Sequence, residues 1–180
     1  MGEALPEELQ DTLQNVQIVA LGEKKRRARV VVANAVTAAM AEGAAPIPIA
    51  DAIMLVPTQI SMFAGITVVF GFDFSKSIIA GLLSSTLGAG GATILGKTVA
   101  SNLLKLIPGA GSIAGGAISA GTAAVLTASL GEAYINLLEL VFKGELSMND
   151  LNSKKGKEKM YKLFKEQLSM SSAFESNKGK

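Results

Sequence analysis

The sequence contains no cysteine, no histidine and no tryptophan. Disulfide bonds, thiolate zinc sites and cysteine nucleophiles are therefore excluded, as is every mechanism that uses an imidazole as base or ligand. Charge is also scarce in one long block. Between Gly43 and Gly131 the charged residues are Asp51, Asp73, Lys76, Lys97 and Lys105. Such a block indicates either a large apolar core or contact with a membrane.

Basic residues crowd on both sides of this apolar block, and six lysines between Lys154 and Lys165 follow it. Such clusters are typical of contacts with anionic lipid headgroups or with a partner protein. For the first cluster the alternatives are a nucleic-acid contact and a solvated helix face. For the second, the alternative is a helix whose apolar side closes the protein's own bundle. The net charge of +2 over 180 residues argues against nucleic acid as the partner. The residues predicted to make a lipid or partner contact are Lys24, Lys25, Arg26, Arg27, Arg29, Lys157, Lys162 and Lys165.

The hydrophobic periodicity is helical throughout and predicts an all-α fold, a helical bundle of about five to six helices. Prolines and glycines separate the predicted helices, which cover about 5–20, 23–42, 51–70, 76–106 and 110–143. The acidic start lacks a basic segment followed by an apolar run, so we predict no signal peptide. We divide the chain into an N-terminal helix and lead-in (1–22), an apolar helical core domain (23–143), a linker (144–152), a basic amphipathic helix (153–170) and a disordered tail (171–180).

Small residues recur at every fourth position in the middle of the block. Rows of this kind let two helices approach closely, which offsets the poor helix propensity of glycine. Because Pro108 and Gly109 separate two such rows, we predict a long Gly/Ala-zippered antiparallel hairpin. A plain alanine- and glycine-rich helical core is the alternative. The rows are Ala80, Ser84, Gly88, Ala92, Gly96 and Ala100, then Ser112, Gly116, Ala120, Ala124 and Ala128, with Gly111 and Gly115 beside the second.

One motif matches an enzyme signature. Gly91, Gly96, Lys97 and Thr98 fit the GxxxxGK[ST] phosphate-binding loop. That loop requires a strand before it, whereas these residues continue the small-residue row of a predicted helix. No magnesium-binding aspartate and no guanine-recognition motif follow. We therefore interpret the match as a coincidence and predict no catalytic residue, no cofactor, no metal and no enzymatic activity.

Two aspartates and one glutamine stand out in the apolar region. Asp51 and Asp73 bracket a helix of about 20 residues, which places them roughly 30 Å apart, too far to act on one bond. Helix capping explains both residues. Gln59 is strongly polar within that helix, and we expect it to form an interhelical hydrogen bond. A polar pathway is the alternative.

Three segments without charge, 52–72, 77–96 and 106–131, each reach the ~20 residues that a membrane-spanning helix needs. Three spans would place the two basic clusters on opposite sides of the membrane, against the tendency of basic loops to remain in the cytoplasm. Two spans satisfy that tendency but leave one apolar helix elsewhere. A compact bundle that inserts only partly avoids the conflict.

Proline, glycine and polar residues occur in a distinctive order over about residues 5–143. The pattern includes GAAPIPIADAIMLVPTQISMFAGITVVFG and LIPGAGSIAGGAISAGTAAVLTASLGEAY. It resembles a bacterial membrane-associated domain of unknown function that is found C-terminal to Era-like and Hsr1-like GTPase domains. The matching positions are Pro46, Pro48, Asp51, Pro57, Gln59, Met62, Gly71, Leu95, Gly96, Pro108, Gly109, Gly111, Thr127, Gly131 and Tyr134.

The resemblance implies an all-α, membrane-linked module that a GTPase uses as an anchor or output, although these 180 residues contain no GTPase domain. The implied location is the cytoplasmic side of a bacterial inner membrane, or the cytoplasm with membrane association. Our first hypothesis is thus a non-enzymatic, membrane-associated accessory module that contacts anionic lipid. The second is a soluble interaction or dimerisation module that buries its apolar faces in a partner or a second copy. The third is a small pore-forming or membrane-perturbing protein.

Overall fold

The computed structural model describes residues 6–42, 47–48, 56–87, 117–118 and 120–178. This part of the chain is an all-α bundle, which confirms the predicted fold class. Two short strands, β1 (Ile47–Pro48) and β2 (Ala117–Ile118), pair antiparallel. The α-helices are α1 (Glu7–Glu42), α2 (Val56–Phe70), α3 (Lys76–Leu87), α4 (Ala120–Phe142) and α5 (Lys154–Lys178), and a 3-10 helix (Asn149–Asn152) precedes α5.

The helices alternate in direction. α2 runs antiparallel to α1, because its C-terminal Phe70 meets Lys24 near the middle of α1. α4 also runs antiparallel to α1, and the two helices share the most extensive contact in the bundle. α5 returns along α4, where the hydroxyl oxygens of Ser129 and Ser171 lie 3.4 Å apart. α3 packs against α2 and α5.

The core lies where α1, α2, α4 and α5 meet. Burial of each large apolar side chain contributes about 1.5–3 kcal/mol. The apolar side of α5, with Met160, Phe164 and Leu168, is part of this core, so the basic amphipathic helix closes its own bundle. The largest fully buried side chains are Met62, Phe63, Ile66, Leu82, Leu130, Tyr134, Ile135, Leu137, Leu138, Leu151, Met160 and Phe164.

The N-terminal half of the chain differs from the prediction of two helices separated near Gly22. α1 is one continuous helix of 36 residues. A single exposed glycine costs a helix about 1 kcal/mol and does not by itself end it. Ion pairs from Glu23 to Arg26 and Arg27 support the following turns at the i,i+3 and i,i+4 spacings. The predicted boundary between helices 5–20 and 23–42 was therefore wrong.

Two other boundaries also differ. The helix predicted from about Ala110 begins at Ala120, because residues 117–118 form β2, so the second small-residue row is not carried by one continuous helix. The glycines in this segment lower its helix propensity. Most of the predicted hairpin falls in 88–116, outside the described residues. α5 continues to Lys178, well into the tail predicted to be disordered, since neither proline nor glycine interrupts it before Gly179.

The connection between α2 and α3 follows its sequence signals. Gly71 adopts a φ of 82°, and its amide hydrogen-bonds the carbonyl of Val68 (2.9 Å), which ends α2 in the expected way. Ser75 accepts a hydrogen bond from the amide of Ile78 (3.4 Å) at the start of α3. At the other end of α2, Pro57 lies in the first turn, where a missing amide hydrogen does no harm.

Candidate functional site

The described structure does not bring the residues considered for catalysis together in one site. Asp51, Gly91, Gly96, Lys97 and Thr98 lie outside the described residues. Asp73 is exposed in the turn before α3, away from the core. Within the described ranges, no group of three or more acidic side chains is placed to hold a metal ion. The notable features of the described residues are instead buried hydrogen bonds between helices and ion pairs at their surfaces.

A buried line of hydrogen bonds joins α2 to α4, and we call it the polar seam: Gln59, Thr67, Thr127 and Tyr134. Gln59 donates from Nε2 to the hydroxyl oxygen of Thr127 at 2.7 Å, which is the interhelical hydrogen bond expected of this glutamine. The hydroxyl oxygens of Thr67 and Tyr134 lie 2.8 Å apart. All four side chains are buried. Because an unpaired buried polar group costs about 1–3 kcal/mol, the seam fixes how α2 sits on α4.

Tyr134, at one end of the polar seam, also makes an aromatic contact. The rings of Phe63 and Tyr134 stack in parallel with centroids 4.0 Å apart. Burial raises the pKa of Tyr134 to about 12, although its hydrogen bond to Thr67 acts in the opposite direction. The phenol therefore stays protonated at physiological pH and remains a neutral hydrogen-bonding group.

Gly131 allows α4 to approach α1 closely beside the seam. A Cβ atom at this position would lie 2.5 Å from Cγ2 of Val32 and 3.1 Å from Sδ of Met62. Real side chains do not approach so closely, so the site requires glycine unless its neighbours move. Residues singled out by the family resemblance thus meet at the contact of α1, α2 and α4: Gln59, Met62, Thr127, Gly131 and Tyr134.

The bundle end that leads into residues 43–55 and 88–116 carries unsatisfied acceptors. Thr58 donates its hydroxyl hydrogen to Oε1 of Glu42 at 2.6 Å. Two other buried oxygens, Oε2 of Glu42 and Oε1 of Gln59, have no hydrogen-bond partner among the described residues. Among the described residues, these are the two buried polar side-chain atoms that still need a hydrogen-bond donor.

At the opposite end, Lys24 caps α2. Its Nζ donates to the carbonyl oxygen of Phe70 (2.9 Å) and approaches that of Val69 (3.4 Å). The same ammonium lies 5.7 Å from the ring centroid of Phe142. A cation at a helix C-terminus satisfies free carbonyls and the helix dipole, so this lysine has a structural role.

The remaining basic residues of α1 are paired with acids. Lys25 bonds Glu139 at 2.5 Å, and Arg29 contacts both oxygens of Glu132 at 3.0 and 3.4 Å. Burial alone would raise the pKa of Glu139, but hydrogen bonds from Lys143 and Lys25 lower it overall. These pairs join α1 to α4.

Arg26 and Arg27 instead pair within α1. Both bond Glu23, and the hydrogen bond from Arg26, followed by that from Arg27, lowers the pKa of this carboxyl to about 2. The two guanidinium groups remain largely exposed. Among the basic residues of α1, they are therefore the ones most accessible to an anionic surface.

The three lysines predicted on α5 lie in different surroundings. Lys157 is half-buried beside α3. Lys162 lines a groove of about 380 Å³ between α4 and α5 that also contains Glu145 and Glu158. Lys165 is exposed, with Nζ 5.6 Å from the centroid of the Tyr161 ring. The structure does not bring these lysines together into one cluster.

The contacts along α1, α2 and α4 divide the bundle into two poles. The charged pole comprises 23–29 of α1 and 132–143 of α4, together with the lysine-rich first turns of α5. The apolar pole comprises 30–41 of α1, 56–66 of α2 and 120–131 of α4, which contain no charged residue. The apolar pole ends at Glu42. The last turns of α5 lie beside this pole, because Ser171 of α5 is next to Ser129 of α4. The uncharged surface is therefore formed by α1, α2 and α4 only.

Among the described residues, one helix is long and apolar enough to cross a membrane. It is Ala123–Phe142, with a mean hydropathy of 1.4 in its most apolar window, and half of that window is buried inside the bundle. α2 and α3 are apolar but shorter. The predicted segments 52–72, 77–96 and 106–131 are only partly described, so the number of spans stays a prediction.

A comparison with known protein families identifies the family of this chain. Residues 8–171 match the sequence profile of the family described as Domain of unknown function (DUF697). The chain belongs to this family. No curated protein and no solved structure matches it. The DUF697 match runs from residue 8 in the first turn of α1 to residue 171 in α5, so the polar seam lies within the family domain.

Several contacts were not foreseen from the sequence. Glu132 and Glu139 are seven residues apart and so share one face of α4, opposite Lys25 and Arg29, which are four residues apart on α1. Two acids on one face of α4 and two basic residues on one face of α1 are a signal that could have predicted the pairing of these helices. The role of Lys24 as a cap carries no comparable signal, because it depends on where α2 ends in space.

Proposed function

We propose that this DUF697 chain is a non-enzymatic, membrane-associated helical module that places its apolar pole partly in a lipid bilayer. The charged pole would remain in water and among the headgroups. The observation that carries the proposal is the separation of charge along α1, α2 and α4, where Glu42 is the one charged residue at the apolar end. Residues 30–41, 56–66 and 120–131 carry no charge, whereas the ion pairs of α1 and α4 all lie at the other pole.

The exposed surface of the apolar pole suits lipid contact. Val30 and Met40 are exposed there on α1, and Met40 retains 45% of its accessible surface. Thr37 is also exposed, but its hydroxyl donates to the carbonyl oxygen of Ala33 at 3.0 Å. Its hydrogen-bond donor is thus satisfied within the helix and needs no water.

Partial insertion fits the position of the ion pairs better than a full crossing by α4. The candidate span includes Glu132 and Glu139, which bind Arg29 and Lys25 on α1. A crossing would take both ion pairs into hydrocarbon, where charged groups are expensive. With the bundle inserted from its apolar pole, those pairs lie at headgroup level. Arg26 and Arg27 then remain accessible to anionic lipid.

An accessory or output role beside a bacterial GTPase is the finer part of this proposal. It rests on the resemblance to domains that follow GTPase domains. A GTPase partner would bind the charged pole, which stays outside the bilayer and is the pole that carries most of the polar surface. The implied location is the cytoplasmic face of the membrane.

Tryptophan fluorescence tests the orientation directly, because the natural sequence has no tryptophan. We would place a single reporter at the apolar pole (Met40→Trp) or at the matched exposed position Val68 near the charged pole (Val68→Trp), which is 73% exposed. On vesicles that contain anionic and bromine-labelled lipids, we expect blue-shifted and quenched emission from Met40→Trp and little quenching from Val68→Trp.

Flotation and dye release on the same vesicles complete the test. Failure of both variants to float with lipid would overturn the proposal and favour a soluble interaction module. Equal quenching at both positions would contradict partial insertion from the apolar pole. Release of an encapsulated dye at the concentration that gives binding would favour the pore-forming alternative instead.

A further inference from the structure

α4 carries two charged side chains within a helix that is otherwise suited to cross a membrane. In the candidate span Ala123–Phe142 the charged residues are Glu132 and Glu139, and Lys143 follows directly after it. At about 1.5 Å per residue, the span is roughly 30 Å long, which matches the hydrocarbon core of a bilayer. Its length and composition would therefore permit a crossing if these two carboxylates were neutral.

The uncharged part of the bundle matches only half of that thickness. The stretches that form the apolar pole, 30–41 of α1, 56–66 of α2 and 120–131 of α4, each rise about 16–18 Å. One leaflet contributes about half of the ~30 Å hydrocarbon core. Glu132 is thus the first charge on α4 that insertion beyond one leaflet would draw into hydrocarbon.

Basic partners surround the two glutamates. Arg29 of α1 contacts both oxygens of Glu132, while Lys25 of α1 and Lys143 of α4 contact Glu139. Burial would raise the pKa of Glu139, but the hydrogen bonds from Lys143 and Lys25 lower it overall. This carboxyl is therefore charged at neutral pH, and the charged form is the one that hydrocarbon excludes most strongly.

Apolar packing offers little resistance to deeper insertion. Half of the most apolar window of the span is buried inside the bundle. Lipid tails are as apolar as leucine, so buried side chains such as Leu130 and Leu137 lose little when acyl chains replace their protein neighbours. The sequence before α4 adds no charge to the barrier, because residues 106–119 contain none. The charge that opposes a crossing by α4 is thus concentrated in its two carboxylates.

We infer that Glu132 and Glu139 form a depth stop: while charged, they limit insertion of the bundle to one leaflet, and their neutralisation lets α4 pass through both. The inference rests on the proposed partial insertion and adds the residues that set its depth. Lys143 would mark the end of the crossing helix, since it is the next charged residue after Glu139.

Two double variants separate the charge of the carboxylates from the ion pairs that they form. Glu132→Gln/Glu139→Gln removes both charges from α4. Lys25→Gln/Arg29→Gln breaks the same two ion pairs with α1 but leaves both carboxylates charged. We expect α4 to cross the bilayer in the first variant and not in the second. Crossing by both would show that a loosened contact between α1 and α4 is sufficient, and would overturn the inference.

A single added cysteine reports the crossing, since the chain has no cysteine of its own. Gly121→Cys lies at an exposed position in the first turn of α4, and Met148→Cys lies beyond the charged pole at a position that is 47% exposed. Each full chain is added at neutral pH to vesicles that contain anionic lipid and an entrapped, membrane-impermeant maleimide. The entrapped reagent should label position 121 when both glutamates are replaced and leave it unlabelled when they are present. Position 148 should stay unlabelled in every chain.

Glu158→Gln/Glu166→Gln is the matched control, because it removes the same net charge from exposed acids of α5 and should not permit labelling at position 121. Flotation separates this inference from the proposed function. If the natural chain does not float with lipid, both fail. If it floats but the chain without Glu132 and Glu139 stays unlabelled at position 121, only the depth stop fails. Labelling at position 121 with both glutamates in place, or at position 148 through a permeable bilayer, would also contradict the depth stop.

Discussion

At the charged pole, α1 and α4 meet through long side chains: Lys25 reaches Glu139, and Arg29 reaches Glu132. Within one turn of the second ion pair, where the apolar pole begins, Gly131 brings the α4 backbone against Val32. The first contact is made by long side chains that stay partly exposed to water. The second is a close approach that leaves no room for a Cβ atom at position 131. One helix pair therefore combines two types of interface, each suited to a different solvent.

This difference predicts where stability resides. Partly exposed ion pairs contribute little, about 0–1 kcal/mol each, because water and salt screen them. Close packing and buried hydrogen bonds contribute more when they are disrupted. The apolar pole should therefore hold the bundle together, while the charged pole sets the pairing of α1 with α4 and the orientation of the molecule at a membrane.

Gly131→Val should produce the largest loss of stability. The added side chain would overlap Val32 and Met62, so α1 and α4 must separate. We expect the free energy of unfolding to fall by about 3 kcal/mol, measured by denaturant titration followed by circular dichroism.

Gly22→Ala is the matched control, because a Cβ atom there would meet nothing within 4 Å. Alanine should stabilise that exposed turn of α1 by up to about 1 kcal/mol. Equal effects of the two substitutions would show that glycine at 131 serves no close approach, and the comparison of the two poles would lose its basis.

A double-mutant cycle at the polar seam should give the next largest effect. Thr127→Val leaves Nε2 of Gln59 without its observed partner in a buried site, and we expect a loss of about 1–3 kcal/mol. Adding Gln59→Leu removes the second polar group, together with the unpaired Oε1, so the double variant should recover much of that loss. Additive losses in the two single variants and the double variant would indicate that Gln59 and Thr127 do not interact.

The fold class was predictable because it depends on periodicity that is local in the sequence. All five described helices fall in segments with helical patterns, and the cap at Ser75 and the end of α2 at Gly71 follow from residue type alone. Boundaries that depend on distant partners were missed. Residues 117–118 form β2 because they pair with residues 47–48, more than sixty residues earlier in the chain. No local sequence pattern predicts that pairing.

The candidate site was predictable only in part, for the same reason. Gln59 was recognisable because a polar residue in an apolar helix needs a partner. That partner, Thr127, is 68 residues away and could not be selected from many other serines and threonines. The basic residues of α1 looked like one lipid-binding cluster in the sequence. The structure gives Lys24, Lys25 and Arg29 partners within the bundle, because α2 and α4 lie beside them.

Substitutions at the charged pole should change stability the least, and their effect should depend on pH. Hydrogen bonds from Lys143 and Lys25 outweigh burial and hold the pKa of Glu139 below the value of 4.5 expected for an unfolded chain. A carboxyl with a lowered folded-state pKa stabilises the fold above its unfolded-state pKa, and this contribution is lost as the pH falls through the folded-state pKa. Glu139→Gln should therefore lower the unfolding free energy by about 1 kcal/mol at neutral pH, and less below pH 4.5, so that the curves of the variant and the natural chain converge in acid.

Glu158→Gln breaks a far more exposed pair with Lys154 and should change stability at neutral pH by less than about 0.5 kcal/mol. If urea titrations across this pH range gave parallel curves for Glu139→Gln and the natural chain, the ion pair of Lys25 and Glu139 would contribute no pH-dependent stability to the contact of α1 with α4.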